Sequence, residues 1–449
     1  MKTEAPLRIL QTALPVPGHL NPTFALATAL RERGHDVAFY SGTGAAPAIE
    51  RLGFRCFTFA PDMDAVITRN VLPSGGSSAA AKVSTDRKGF FRVASLNAAL
   101  REWLLETIPQ QVSDLDRIVS TFRPDVLVCD LTLLAPILLR ERFPVPVAVF
   151  SALAACSVPG PEAPPWGRGL PPPRTPWTRA QSWVERRVID WLLADFRESA
   201  SELRRRYGLP ALDGILADQY GRVPLFMVAS VPELDYDRRD LPASVHYVGA
   251  CVWNGDTAPA PLTWLDGLSR DMPLVHVTEG TIHTRDPLVL RAAAGGLANL
   301  PMHVVMTTGK HRRPDELMLG PIAPNIRIEQ FVPHHQLFAR TDVVVTTGGA
   351  GTLTTALLAG VPVVVVPTGW DLPENAQRAV EAGVGLRLDP RRCTPGRLRA
   401  AVEELLSVPS YRARAREIGA ALKAAGGQAK AASLIETLVG KATPAMQAV

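Results

Sequence analysis

Short apolar runs alternate with segments of helical periodicity along the first third of the chain. The runs LRILQTAL, DVAFYS, FRCFTF, DVLVCD and VPVAVF have the length and the nearly continuous apolar character of strands buried on both faces. Between the first two runs, PTFALATALRERG carries apolar residues at helical spacing and ends at Gly34, a typical helix C-terminal residue. This alternation predicts a doubly wound parallel sheet.

A second series of the same kind occupies the other half of the chain. Its predicted strands are PLVHVTEG, MHVVMTTG, IRIEQFV, DVVVTTGG, VPVVVVP and GVGLRL, and its predicted helices include TLTTALLAG and PENAQRAVEAG. We therefore predict an α/β fold of two Rossmann-like doubly wound domains that face each other across a cleft. Ligands are expected in this cleft, at the carboxyl ends of both sets of strands.

The predicted domain limits follow from these two series. The segment CVWNGDTAPAPLTW is the best linker candidate, because Pro, Gly and small polar residues replace the apolar periodicity there. The predicted parts are an N-terminal domain at 1–220, a linker region at 221–262, a C-terminal domain at 263–425, and a C-terminal helix and tail at 426–449, which are candidates to pack back on the first domain.

Two stretches interrupt the first series. Residues 60–94 break the alternation, and PSGGSSAAAKVS within them predicts a mobile loop. The segment 158–178 contains eight prolines between Pro159 and Pro176, which disfavours a regular helix or strand. Loops of this length in a compact domain are typically binding loops or lids.

Composition limits the classes of partner. The chain has 449 residues, 47% hydrophobic and 20% charged, with a net charge of +5 and arginines that are scattered rather than clustered, so nucleic-acid binding is not implied. No apolar run approaches the roughly 20 residues of a membrane span, and the N-terminus is unlike a secretory signal. Widely spaced, odd-numbered cysteines suggest reduced thiols and a cytoplasmic protein. They are Cys56, Cys129, Cys156, Cys251 and Cys393.

A glycine-rich turn follows the predicted strand at residues 343–346, and a helix is predicted to begin near its end. Glycines allow close approach of a ligand to the backbone, and a helix start offers unpaired N–H groups, so the turn is suited to a diphosphate. Tight packing alone explains such turns about as often. The turn comprises Thr347, Gly348, Gly349, Ala350, Gly351 and Thr352.

Polar residues beyond the next strand strengthen the interpretation as a ligand site. Asp371 and Asn375 follow residues 363–366 and are expected at the same sheet edge as the glycine-rich turn. The Asp371 carboxylate is suited to accept hydrogen bonds from sugar hydroxyls, and Asn375 is suited to bond a phosphate or a sugar group.

The stretch LPVPGHLNPT contains a histidine that is a candidate base. With Asn21 as N-cap and Pro22 at the first helical position, His19 is predicted to lie just before a helix N-terminus, which disfavours imidazolium. Asp130 ends the strand DVLVCD at the same sheet edge. A carboxylate on one ring nitrogen would fix the tautomer and stabilise an imidazolium formed in the reaction. The alternative is an ordinary turn histidine and strand-end aspartate.

Residues 331–385 and the GHLNP stretch carry a family resemblance. The segment resembles the donor-binding signature of the family 1 glycosyltransferases with the GT-B fold: a proline-led loop, a strand, His-Gly-Gly-x-Gly-Thr, a helix, Gly-Val-Pro, a strand and Asp-Gln-x-x-Asn-Ala. GHLNP is similar to the catalytic-histidine loop, particularly of bacterial enzymes that glycosylate macrolides and other natural products. The match spans nearly the whole chain in order and spacing.

The chain departs from this signature at two positions. Thr347 stands where the family has a phosphate-binding histidine, and Leu372 stands where it has a glutamine after the aspartate. Thr347 keeps one neutral hydrogen-bond donor but loses a charge-assisted one. Leu372 replaces a polar sugar contact with an apolar one, which makes a nucleotide-activated deoxysugar donor plausible.

The resemblance implies further donor contacts. The strand PLVHVTEGTI maps Gly280 and Thr281 onto residues that face the donor phosphates, and the segment EQFVPHHQLF maps Phe331 and Val332 close to the nucleobase. Glu279 is unusual beside a diphosphate because like charges repel. It either points at an amino or hydroxyl group of donor or acceptor, or it faces away.

Other chemistry-bearing motifs are weaker. His334-His335 lacks a third ligand at metal spacing, and the DxD patterns at 62–64 and 235–237 do not lie in the architecture that uses such motifs, so no metal is predicted. Trp166 and Trp177 are candidates to pack against an apolar acceptor, or to anchor the Pro-rich loop.

The resemblance implies an inverting glycosyltransferase that moves a sugar from a dTDP- or UDP-linked donor to a hydroxyl of a hydrophobic natural product. It implies no cofactor beyond this co-substrate, and a monomer or homodimer. The alternatives are a GT-B epimerase or hydrolase and a degenerate auxiliary protein that binds the donor without turnover. A nicotinamide dehydrogenase is disfavoured, because the first strand–helix turn has one glycine where a dinucleotide fingerprint needs three.

Overall fold

Two separate parallel sheets organise the protein. In the computed structural model, the described residues are 5–71, 100–152, 157–255, 260–280, 286–309 and 312–446. Within them, a seven-stranded sheet belongs to the first half and a six-stranded sheet to the second, and every strand pair is parallel. The predicted pair of doubly wound α/β domains is therefore confirmed.

The first sheet has the order β3-β2-β1-β4-β5-β6-β7. Its central strands are buried along nearly their whole length, as expected where helices cover both faces of a parallel sheet. The strands are β1 (Arg8–Thr12), β2 (Asp36–Ser41), β3 (Arg55–Thr58), β4 (Val126–Asp130), β5 (Val147–Ser151), β6 (Leu225–Val228) and β7 (Val245–Tyr247). The order changes direction between β1 and β4, the position at which a parallel sheet opens a crevice for ligands.

The helices of the first half cover both faces of this sheet. They are α1 (Pro17–Glu32), α2 (Ala46–Arg51), α3 (Pro61–Val71), α4 (Ile108–Phe122), α5 (Ala135–Leu138), α6 (Pro176–Leu192), α7 (Ala194–Arg206) and α8 (Asp218–Gly221). Helix α3 corrects the prediction for residues 60–94, whose first part is helical rather than a loop. The segment PSGGSSAAAKVS lies outside the described residues.

The second sheet has the order β10-β9-β8-β11-β12-β13. Its strands are β8 (Leu274–Thr278), β9 (His303–Thr307), β10 (Ile326–Glu329), β11 (Val343–Thr346), β12 (Val363–Val365) and β13 (Gly385–Arg387). Its helices are α9 (Thr263–Asp266), α10 (Leu288–Gly296), α11 (His334–Leu337), α12 (Ala350–Leu358), α13 (Leu372–Glu381), α14 (Pro395–Ser407) and α15 (Pro409–Ala424). The direction changes between β8 and β11, so the glycine-rich turn after β11 lies at the crevice of this sheet.

The first domain extends further along the chain than predicted. Strand β6 pairs with β5, and β7 pairs with β6, although both follow residue 220 and fall in the predicted linker region. The runs PLFMVAS and VHYVGA in this region have the apolar pattern of strands, and the structure adds both of them to the first sheet.

The last helix, α16 (Gly427–Met446), returns to the first half and contacts α1. Its Glu436 pairs with Arg33 at 2.8 Å and with His35 at 2.9 Å, and Ile435 lies in the apolar core beneath α1. None of the helices in the described part of the chain has the length and apolarity needed to cross a membrane.

Candidate active site

A histidine–aspartate pair lies at the carboxyl edge of the first sheet. The Nδ1 atom of His19 is 2.7 Å from Oδ2 of Asp130, which is the last residue of β4. The other carboxylate oxygen of Asp130 accepts hydrogen bonds from the backbone N–H and the hydroxyl of Thr132, at 2.8 and 2.6 Å. Because the carboxylate accepts from Nδ1–H, a neutral His19 ring carries its lone pair on Nε2.

The structure places His19 inside α1 rather than before it. The helix begins at Pro17, with Val16 as its extended N-cap, so the predicted start at Asn21 and Pro22 is wrong by one turn. Pro22 is tolerated because the carbonyl it leaves without an N–H partner belongs to the exposed Gly18. The first helical turn holds the His19 ring over the end of β4.

The protonation of His19 also differs from the prediction. Burial lowers the pKa of His19, but the charge of Asp130, its hydrogen bond and the charge of Asp371 together outweigh burial and raise the pKa above its ordinary value. The expectation that the helix start keeps the imidazole neutral is therefore wrong in direction. The same pairing lowers the pKa of Asp130, although its burial acts in the opposite sense.

Asp371 links this pair to the second domain. The residue directly precedes α13, and it is close enough to His19 for its charge to act on the pKa of the ring. Burial raises the pKa of Asp371, while its hydrogen bond from Asn375 and the charge of His19 act in the opposite direction. Helices α1 and α12 are also in contact. The two sheet edges therefore face each other at His19.

Trp370, the residue before Asp371, stabilises the contact between the two domains. Its backbone is left-handed, with φ of 54°, which is rare for a bulky residue and costs about 1–3 kcal/mol. Its ring packs edge-to-face on Trp103 of the first domain, with centroids 5.7 Å apart and an interplanar angle of 84°. Burial of the indole in the first domain's core accounts for a conformation that the backbone alone disfavours.

The glycine-rich turn forms an open helix start. Helix α12 begins at Ala350, slightly earlier than predicted, and Gly349 at its N-cap provides no side-chain hydrogen bond. The first N–H groups of α12 therefore have no partner within the helix or its cap. Gly348 has φ of 99°, and a Cβ there would come within 2.6 Å of Val365, so only glycine fits. We call the glycine-rich turn and this open helix start the cradle, because N–H groups of this kind are suited to bind an anion.

Two side chains predicted to bind the donor are engaged within the protein. The Thr347 hydroxyl donates to the carbonyl of Glu279 at 3.1 Å, so its proton is not available to a phosphate. The Asn375 amide donates to the carbonyl of Gly348 at 2.9 Å and to Asp371 at 2.7 Å. Asn375 therefore links Asp371 to the glycine-rich turn. The side chains of Thr347 and Asn375 stabilise the conformation of this region through hydrogen bonds to backbone carbonyls.

The alternative that Glu279 faces away is the one the structure supports. Its buried carboxylate accepts a hydrogen bond from the N–H of Val289 at 2.9 Å, in the first turn of α10, and pairs with Arg312 at 2.8 Å. Burial raises the pKa of Glu279 to about 7, although Arg312 and the helix N–H groups favour its charged form. An acidic residue beside the cradle is thus turned into the domain.

The remaining predicted donor residues have mixed positions. Gly280 is left-handed with φ of 76° and lies beside Thr347, whereas Thr281 lies outside the described residues. Phe331 is half exposed, and Val332 is buried in the core of the second domain. Phe331 is therefore the accessible member of the predicted base-binding pair. Leu372 begins α13 and lies against Gly348.

The weaker motifs have structural explanations. Asp235, from one DxD pattern, pairs with Arg378 at 2.7 Å, and His334 stacks on Phe338 with centroids 4.6 Å apart. Within the described ranges there is no cluster of His, Cys, Asp and Glu that is suited to a metal ion. Trp166 is 45% exposed, and Trp177 lies on α6 and is 78% exposed, so an acceptor role for either remains a prediction.

A contact that the sequence interpretation missed joins the Pro-rich segment to the donor-side helix. Glu374, three residues after Asp371, accepts hydrogen bonds from the N–H groups of Gly167 and Gly169 at 3.0 and 2.8 Å. It also pairs with Arg378 on the next turn of α13, at 3.1 Å. The Pro-rich segment of the first domain is thereby docked on the second.

Comparisons with known proteins identify the family of the chain. Residues 292–437 match a family described as the C-terminal domain of proteins similar to erythromycin biosynthesis protein CIII. The chain is 32% identical over 434 residues to 4'-demethylrebeccamycin synthase of Lentzea aerocolonigenes, covering 96% of this chain and 99% of that protein. It belongs to the family 1 glycosyltransferases of bacterial natural-product type. It is therefore a sugar-transferring enzyme with the GT-B fold.

Other relatives of this glycosyltransferase are more distant. It is 28% identical to demethyllactenocin mycarosyltransferase of Streptomyces fradiae, over 96% of this chain and 86% of that one. Among solved structures, the glycosyltransferase of kitacinnamycin has a TM-score of 0.70 at 24% identity, covering 96% and 99% of the two chains. The calicheamicin glycosyltransferase has a TM-score of 0.70 at 21% identity, covering 98% and 100%. These two structures share its fold.

Proposed function

We propose that this glycosyltransferase moves a sugar, with inversion, from a nucleoside diphosphate to a hydroxyl of a hydrophobic natural product, and that His19 is the base. The observation that carries the proposal is the 2.7 Å contact between His19 and Asp130 at the edge that Asp371 faces from the other domain. A quarter of the His19 side chain is exposed, so Nε2 remains accessible to an acceptor.

The reaction is a direct displacement. The acceptor oxygen attacks the anomeric carbon as its proton passes to Nε2 of His19, and the bond from that carbon to the diphosphate oxygen breaks. The raised pKa of His19 makes it a stronger base once deprotonated. Asp130 holds the ring in the required tautomer and stabilises the imidazolium.

The second domain holds the donor in this proposal. The open N–H groups at the start of α12 receive the diphosphate, whose charge increases as the bond breaks, and Asp371 binds sugar hydroxyls. The family resemblance assigns phosphate contacts to Gly280 and to Thr281, the second of which lies outside the described residues, and a nucleobase contact to Phe331. In this proposal, the protein groups that contact the diphosphate are mainly backbone N–H groups.

A dTDP- or UDP-linked deoxysugar is the donor that the residues favour. The apolar Leu372 at the start of α13 is better matched by a sugar with a missing hydroxyl than by a fully hydroxylated one. Two structures of similar fold, those of VinC and of a Streptomyces glycosyltransferase, were determined with thymidine diphosphate. A nucleoside diphosphate is therefore the ligand to test first.

The test measures transfer and its stereochemistry. The purified protein is incubated with dTDP- or UDP-deoxysugars and a panel of polycyclic and macrolide acceptors, and NMR of the product gives the anomeric configuration. We expect donor consumption that depends on the acceptor and a product of inverted configuration. Consumption without acceptor would favour a hydrolase or epimerase, and tight donor binding without any turnover would favour an auxiliary protein.

A further inference from the structure

One helix of the first domain exposes an apolar stripe that the active site does not use. Along α6, the residues of this stripe follow each other at intervals of three, four, four and three positions, which places them on one side of the helix. We call this side the tryptophan face. It consists of Trp177, Ala180, Val184, Val188 and Trp191.

Large apolar side chains on this face are exposed to solvent. Trp177 is 78% exposed, Trp191 is 68% exposed, and Trp183, beside the stripe, is 60% exposed. At about 150–250 Å² per buried tryptophan, Trp177 and Trp191 together with the exposed Val184 and Val188 leave roughly 400 Å² of apolar surface uncovered. A patch of that size is among the largest that a monomer exposes, and such patches are often functional. It is also about half of the ~800 Å² that each partner buries in a standard interface.

The pattern along α6 is symmetric about Val184. Trp177 and Trp191 lie seven residues to either side of Val184, and Ala180 and Val188 lie four residues to either side. A twofold axis through Val184, perpendicular to α6, therefore brings Trp177 of one copy against Trp191 of another. Large rings then meet at both ends of the contact, and small side chains meet at its centre, where helix axes approach to about 8–10 Å.

We propose that the tryptophan face is the interface of a homodimer in which α6 of two copies pairs antiparallel around Val184. A membrane surface is the less suitable occupant, because Asp190 and Glu185 lie among the basic residues of this helix and nothing in lipid requires a twofold pattern. The pairing leaves His19 and the donor cradle of each copy within that copy.

Sedimentation equilibrium of the full-length protein tests for the dimer. In sedimentation equilibrium, the wild type should dimerise, and Trp191→Ser should raise the dimer dissociation constant at least about tenfold. Trp177→Ser should weaken the dimer by a similar factor, because Trp177 of one copy meets Trp191 of the other. A wild type that stays monomeric at every concentration would overturn the proposal, as would a dimer that all these variants leave unchanged.

Cysteine cross-linking locates the axis. Val184→Cys should form a disulfide with itself in the partner copy on mild oxidation, because this residue lies on the axis. Ala180→Cys is the matched control: its two copies would lie about 12 Å apart along the helices and should not cross-link, whereas Ala180→Cys combined with Val188→Cys should. Cross-linking by Ala180→Cys alone, or none by Val184→Cys, would contradict the register.

A vesicle assay tests whether the tryptophan face binds a membrane surface rather than a second copy of the protein. The wild type and Trp191→Ser are sedimented with vesicles of phosphatidylglycerol and phosphatidylcholine, and thermal melts check that the variant is folded. We expect both to stay in the supernatant. A monomeric wild type that sediments with the vesicles, and a variant that does not, would assign the face to lipid and overturn the dimer.

Discussion

The two sheet edges that meet at the active site differ in how far the protein itself satisfies their polar groups. On the first domain, Asp130 uses both carboxylate oxygens on protein partners, and only Nε2 of His19 remains for a ligand. On the second domain, the first N–H groups of α12 have no cap. The hydrogen bonds of the His19–Asp130 pair are thus made within the protein, whereas the N–H groups at the start of α12 are available to a ligand.

This difference predicts that one edge controls the rate of transfer and the other the affinity for the donor. Groups that the protein already holds in place can change the barrier without changing how tightly the donor binds, while unsatisfied N–H groups contribute directly to donor binding. Changes on the first edge should therefore lower kcat, and changes on the second should raise the donor KM. Asp371 belongs to the second edge and its charge acts on His19 of the first, so a change at Asp371 should affect both kcat and the donor KM.

The largest effect is expected from His19→Ala. Loss of a general base lowers kcat by about 10²- to 10⁴-fold, and because His19 makes no contribution to the cradle, the donor dissociation constant should stay at its wild-type value. Single-turnover kinetics and calorimetry with the nucleoside diphosphate measure the two quantities. A comparable loss in kcat and in donor affinity, or a wild-type kcat, would contradict the separate roles expected for the two edges.

A smaller loss, on the order of 10²-fold, is expected from Asp130→Asn, together with a displaced pH profile. The wild-type rate should fall as the pH drops through the pKa of His19, which lies above its ordinary value of 6.5 because of the two carboxylates. Removing the charge of Asp130 lowers that pKa, so the acidic limb of kcat/KM should move to lower pH. A limb that stays in place would show that another group titrates.

Asp371→Asn should raise the donor KM roughly tenfold or more, since a charge-assisted hydrogen bond contributes about 1.5–3 kcal/mol. The affinity for the free nucleoside diphosphate, which lacks the sugar, should not change. The acidic limb should also move slightly to lower pH, because Asp371 raises the pKa of His19 from across the cleft. If free nucleotide also bound more weakly, Asp371 would act on the cradle rather than on the sugar.

The smallest functional effect is expected from Thr347→Val. Its hydroxyl donates to the carbonyl of Glu279, so removal should cost about 1 kcal/mol of unfolding free energy and leave donor affinity unchanged. Denaturant unfolding and calorimetry provide the two measurements, and Thr347→Ser, which keeps the hydroxyl, is the matched control. If Thr347→Val bound the donor more weakly while Thr347→Ser did not, the Thr347 hydroxyl would be shown to contact the phosphate.

Most of the fold and the pairing of His19 with Asp130 could be predicted because they depend on local patterns. Buried apolar runs identify parallel strands, and the carboxyl ends of such strands share one edge, which brings residues 111 positions apart together. The start of α1 was missed because a proline preceded by asparagine is a typical helix start, whereas here Pro22 lies in the helix interior. The direction of the His19 pKa shift was wrong because the charge and hydrogen bond of Asp130 outweigh the helix start, and Asp371 from the other domain adds a smaller contribution in the same direction.

Contacts across the domain boundary had no signal in the sequence. Arg378 reaches Asp235, 143 residues away, and Trp370 reaches Trp103. The i to i+4 spacing of Glu374 and Arg378 predicts only a local pair on a helix, not that the pair is buried beneath a segment of the other domain. The roles of Thr347 and Asn375 were missed for a related reason, since hydrogen bonds to backbone carbonyls leave no pattern in side-chain identity.

The docking of Gly167 and Gly169 on Glu374 has a consequence for recombining such enzymes. A chimaera that joins the first domain of one homologue to the second domain of another keeps both sheets intact but replaces one side of this contact. If the new loop lacks backbone N–H groups at the same place, the buried carboxylate of Glu374 loses its partners close to Asp371, the residue that we propose binds the sugar. Exchanging residues 166–169 together with α13 should preserve sugar specificity better than cutting at the linker.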